Sequence, residues 1–101
     1  MIALVIGNIV KPGKLQSHKY SQCHWEGCEE NNKLTFVSYK SPIFTVVETE
    51  YGLTFYPRKT SPGCTRTTAI QTLWALYELG YDYKEAHNII DGLRTKHIVK
   101  A

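Results

Sequence analysis

The chain has 101 residues, 43% of them hydrophobic and 21% charged, and 12 Lys and Arg against 9 Asp and Glu give a formal charge of +3. That length suits one hydrophobic core and is short for two ordinary domains, so residues 1–101 are expected to fold as a single domain. The composition excludes an intrinsically disordered chain, and a pI near 8.8 falls short of a dedicated nucleic-acid domain while still permitting contact with nucleic acid or an acidic protein.

Ile2 to Ile6 is a nearly continuous apolar run of β-formers and reads as a buried strand ending at Gly7-Asn8. The run lacks the basic leader and cleavage site of a signal peptide and is far shorter than the roughly 20 residues that span a bilayer. A cytoplasmic protein without membrane contact is therefore expected. Cys23, Cys28 and Cys64 are an odd set without disulfide-framework spacing, which fits free thiols in a reducing compartment. Lys11 to Asn32, with Pro12-Gly13 and few aliphatics, reads as a long connection; irregular stretches of that length are unusual, so it is either functional or hides an element.

From Lys33 the period changes, and Leu34, Phe36 and Ser38 alternate with Thr35, Val37 and Tyr39 as in a strand that Ser41-Pro42 interrupts. Ile43 to Thr49 and Leu53 to Arg58 are rich in β-branched and aromatic residues and flank Glu50-Tyr51-Gly52, which predicts a hairpin with Gly52 at positive φ and a closing strand ending at Pro57. After Ser61-Pro62-Gly63, Thr68 and Gln71 have the spacing of a capping box. Ala69, Ile70, Leu73, Trp74, Leu76 and Tyr77 then recur at helical spacing up to Gly80. Asp82 and Glu85 open a second helix with the stripe Tyr83, Ala86, Ile89, Ile90 and Leu93, about two residues after the first. The expected fold class is α+β: a small antiparallel sheet of three to four strands followed by two packed C-terminal helices. Pattern alone sets no strand order.

Four groups of residues could carry chemistry. His18, Cys23, His24 and Cys28 offer four zinc-type ligands, but they crowd one segment instead of forming two separated pairs, so no metal or other cofactor is expected. Cys64 precedes a helix and has Arg66 nearby, which would favour a thiolate; its base would have to be His87 or His97, and no catalytic signature surrounds it. Arg58, Lys59, Arg66, Thr67 and Thr68 gather at the start of the first helix, where unpaired N–H groups and cations suit a phosphate or carboxylate. Cations there oppose the helix dipole, which makes their placement informative. Tyr77, Tyr81 and Tyr83 cluster at the helix junction and suit a protein interface as well as they suit the rim of a core.

Two resemblances add expectations. Leu76-Tyr77-Glu78-Leu79-Gly80-Tyr81, followed by Glu85-Ala86, resembles the helix pair of UBA-like modules; it implies a tight helix–turn–helix, and with the third helix missing it does not extend to ubiquitin or helicase binding. The order Ser38-Tyr39, Ser41-Pro42-Ile43, Gly52 and Thr67-Thr68 is similar to small phage-encoded accessory proteins of uncharacterised function, from which this chain departs by carrying Pro62-Gly63-Cys64 before the threonines. That resemblance implies a protein that binds and blocks host or defence machinery. The leading expectation is a non-enzymatic regulator or inhibitor acting by protein contact. A small basic nucleic-acid-binding module comes second, and a small thiol- or metal-dependent enzyme third.

Overall fold

Alternation of apolar and polar residues drives a chain of this kind to lay one sheet face on its helices, and the computed structural model, which describes residues 10–15, 22–27 and 32–101, follows that rule. Among the described residues six strands form one antiparallel meander in chain order: β1 (Gly13–Lys14), β2 (Cys23–Gly27), β3 (Lys33–Ser38), β4 (Ser41–Thr49), β5 (Gly52–Pro57) and β6 (Val99–Lys100). Two helices, α1 (Arg66–Glu78) and α2 (Tyr83–Arg94), stand between β5 and β6. The α+β class holds, and the count of three to four strands is corrected to six. The segment read as a long connection contains β1 and β2, whose strand character comes from pairing: Trp25 lies opposite Phe36, and Gly13 opposite Trp25. Five residues with only Cys23 and Trp25 as an apolar alternation carry too little period to announce a strand. The strand expected at Ile2 to Ile6 lies outside the described residues.

Ser41-Pro42 does not interrupt the sheet. Tyr39 and Lys40 both take positive φ, 51° and 71°, and make the two-residue turn whose twist suits a hairpin, so β4 begins directly at Ser41. Pro42 sits opposite Val37 where the register shifts, a place that tolerates its missing N–H. Gly52, at φ 125°, closes the β4–β5 hairpin as expected. A Cβ there would also meet the Ala101 carbonyl oxygen at 2.9 Å.

The core is an aromatic row across the sheet. Trp25, Phe36 and Phe44 are cross-strand neighbours, Phe55 follows on β5, and Tyr81 completes the row from the helix junction, with successive centroids 5.5, 5.6, 5.4 and 5.8 Å apart. Leu34, Val46 and Leu53 extend the sheet's contribution, and Leu76, Ala86, Ile89, Ile90 and Leu93 close it from above. The Trp25 indole N–H donates to a Glu78 carboxylate oxygen at 3.3 Å, which satisfies the one polar atom of that ring.

Local sequence sets both helix starts. Asp82 and Glu85 form the reciprocal capping box that their spacing predicts. For α1 the cap is Thr65 and not Thr68: the Thr65 backbone is extended, and its hydroxyl accepts from the Thr68 N–H at 3.1 Å. Gln71 is therefore no cap partner; it is fully buried, accepting from the Ser38 hydroxyl at 2.5 Å. Gly80 ends α1 at φ 99°. Leu79 to Asp82 separate the helices, and α2 folds back against α1, with α1 on β3 and α2 on β5 and β6. The close approach of α2 to β6 needs a small residue at Gly92, where a Cβ would meet Val99 Cγ2 at 2.5 Å.

Candidate functional site: two binding surfaces

An antiparallel helix pair returns the end of its second helix to the start of its first, and here this builds a basic corner. Arg58 and Lys59 follow β5, Arg66 opens α1, Arg94 ends α2, and Lys96 follows it. Arg94 lies so close over the β5–α1 loop that a Cβ on Gly63 would meet its Nε at 2.7 Å. Lys96, at φ 61°, donates its ammonium to the carbonyl oxygens of Arg58 and Lys59 at 2.5 and 2.9 Å, tying the same loop down. Arg58 gives one guanidinium N–H to Thr45 Oγ1 at 3.0 Å. Of the expected anion set, Thr67 and Thr68 stand at the first turn of α1 with Arg66, while the Arg58 side chain reaches toward the sheet. Arg94 and Lys96 were beyond sequence reasoning because they lie some thirty residues away, and only the helix hairpin brings them back.

Beside this corner a cavity of about 340 Å³ opens between the β3–β4 turn and α1, lined by Ser38, Tyr39, Ser41, Thr60, Cys64, Thr65, Thr67 and Thr68. Every lining residue except Cys64 carries a hydroxyl. The Thr65 hydroxyl donates to Thr68 Oγ1 at 3.0 Å, and Ser38 is held from behind by Gln71. No acidic residue occupies the first turn of α1.

The second surface is a groove of about 860 Å³ at the hairpin end of the sheet, lined among others by Tyr51, Thr54, Tyr56, Ile98 and Lys100. Tyr51 is 92% exposed at the β4–β5 turn and Ile98 58% exposed before β6. Tyr56 stands on the sheet face away from the helices, opposite Thr45. Sequence reading missed Tyr56 because a single apolar residue on an alternating strand looks the same whichever face it occupies, and missed Tyr51 and Ile98 because they come from a turn and a chain end that only the sheet brings together.

The tyrosines expected to act together at the helix junction are divided. Tyr81 packs on Phe55, and burial, reinforced by the Glu85 carboxylate, pushes its phenol up to about 12. Tyr77 is half-buried edge-on to Trp74 at 5.3 Å. Tyr83 alone is well exposed, at 65%, with its ring 4.3 Å from that of His87.

Cys23 and His24 are successive strand residues and so point to opposite faces: the thiol is buried, and the imidazole is half-exposed and bonded to Glu26 at 2.9 Å. Burial, with the Glu78 carboxylate second, raises the Cys23 thiol. His18 and Cys28 lie outside the described residues, and among those described no three His, Cys, Asp or Glu side chains gather as metal ligands. Cys64 is exposed in the cavity wall. The two imidazoles proposed as its base are engaged elsewhere, His87 with Tyr83 and His97 with the Thr95 hydroxyl at 2.6 Å. No described helix is long and apolar enough to cross a membrane.

Comparison with known proteins finds no matching family model, no matching characterised protein and no matching solved structure.

Proposed function

We propose that this chain is a non-enzymatic binding protein that acts by protein–protein contact, and that its partner lays an extended segment in the groove around Tyr51, Tyr56 and Ile98. The observation that carries this reading is the gathering of three exposed large side chains on one groove with Thr54 and Lys100 beside them. Tyrosine suits such a surface: it offers a wide contact area with one polar end and loses little rotamer entropy. An extended segment fits because the groove runs over a sheet face, where side chains spaced two residues apart would meet Tyr56 and Ile98 in turn. A regulator or inhibitor of host or defence machinery, the class the phage-like motif order implies, is the cellular form of this reading.

The test is affinity purification from the native cell with quantitative mass spectrometry, comparing wild type with the double variant Tyr56→Ala/Ile98→Ala. A specific partner recovered by the wild type should fall at least tenfold with the variant, the scale of a hot-spot loss. Equal recovery of every partner would remove the groove from the reading.

A further inference from the structure

We infer that the basic corner, with the hydroxyl-lined cavity beside it, binds the phosphate backbone of single-stranded nucleic acid. This surface is separate from the tyrosine groove and does not depend on it. Its first warrant is uncompensated charge. The sequence contains no Asp or Glu between Tyr51 and Tyr77, and Arg58, Lys59 and Arg66 all fall in that stretch. The return of α2 then adds Arg94 and Lys96 from a distant part of the chain. Among the described residues none of these five cations has a carboxylate within 4.0 Å, although Asp91 lies one turn before Arg94 on the same helix. Lys59, Arg66 and Arg94, with Lys96 tying down the loop, thus share one corner of a molecule whose whole formal charge is only +3, while the Arg58 guanidinium turns to Thr45 on the sheet. Charge collected in this way at the expense of its own ion pairs raises the local potential and draws a polyanion.

The second warrant is the kind of donor. Arg66 and Arg94 carry forked N–H groups that match two phosphate oxygens at once. Lys96 spends its bonds on the carbonyls of Arg58 and Lys59, so it holds the loop that carries those two cations. Ser41, Thr60 and Thr67 add neutral hydroxyls of the sort that position a sugar–phosphate chain without reading sequence. The third warrant is Tyr39. It is 52% exposed, is carried on a turn with two positive-φ residues, and lines the same cavity. A ring there offers a stacking face to an unpaired base, and a recess of about 340 Å³ has room for one. Cations for the backbone and one aromatic for a base describe a sequence-tolerant single-strand site.

Fluorescence anisotropy with a labelled mixed-sequence DNA 20-mer, read across a salt series on the full chain, tests this. Arg66→Glu with Arg94→Glu should weaken binding at least tenfold. Each phosphate contact on a single strand contributes about 0.7 to the slope of log K against log salt, so that pair should flatten the slope by about 1.4. Tyr39→Ala should weaken binding several-fold and leave the slope unchanged. Circular dichroism checks that the variants fold; should the double variant unfold, Lys59→Gln and Arg66→Gln separately carry the same test, each flattening the slope by about 0.7. Undiminished affinity in these variants, a flat salt response, or no binding at about 50 mM salt would overturn the inference. Equally tight binding of a duplex, of polyglutamate or of anionic lipid vesicles would overturn it as well.

Discussion

Tyr81 shows how one side chain carries both packing and electrostatics. Its ring extends the aromatic row, and its hydroxyl is left where burial and Glu85 disfavour the phenolate, raising the pKa from an ordinary 10 to about 12. The unfolded chain therefore gives up this proton first as pH rises. Stability contributed by protonated Tyr81 is complete below pH 10 and is lost progressively toward pH 12. In a spectrophotometric alkaline titration the Tyr81 phenol should give a step near pH 12. The Tyr81→Phe variant should lack that step and lose stability less steeply over the same interval. The same contrast of burial separates Cys23, whose thiol is raised and enclosed, from the exposed Cys64.

At the scale of the element, hydroxyl and carboxylate caps decide where the helices begin. Thr65 serves α1 through the Thr68 N–H, and Asp82 serves α2 through the Glu85 N–H at 2.8 Å. Thr65→Ala and Asp82→Ala should each lower the free energy of unfolding by about 1 kcal/mol in urea titrations, while Thr65→Ser should be nearly neutral because serine supplies the same acceptor. An equal loss from Thr65→Ser would assign the effect to packing of the threonine methyl. The Asp82–Glu85 box was legible in the sequence because only one capping residue stands before that apolar stripe. Thr65, Thr67 and Thr68 all stand before the other, and Gln71 completed an attractive spacing for Thr68. The choice fell to Thr65 because Ser38 on β3 offers the Gln71 side chain a buried partner, a contact made across more than thirty residues.

For the whole molecule, the row from Trp25 to Tyr81 ties four strands to the helix junction, and Phe44 stands at its centre. Its ring lies within 6 Å, centroid to centroid, of Trp25, Phe36 and Phe55, and none of it reaches solvent. Phe44→Ala should cost about 3 to 5 kcal/mol, a large share of the roughly 5 to 15 kcal/mol that holds a domain together. Phe44→Leu, which keeps most of the volume, should cost clearly less. Chemical denaturation followed by the fluorescence of Trp25 and Trp74 reads both. A loss below about 1 kcal/mol for the alanine variant would mean that the row is not the centre of the core.

The α+β class, the β4–β5 hairpin with its glycine, and the two helices with the Gly80 stop and the Asp82 cap follow from the sequence by itself. Each rests on residues close in the chain, where period, φ preference and capping act within a few positions. The strands within residues 11–32, the passage of β4 through Pro42, the division of the tyrosines and the return of Arg94 and Lys96 to the β5–α1 loop were decided by tertiary structure. A strand as short as β2 exists through its partner's hydrogen bonds, a half-buried tyrosine is assigned to core or surface by what packs over it, and a charged corner forms only where the chain returns on itself. The local signals in this protein therefore define its elements, and contacts between residues far apart in the chain define its surfaces.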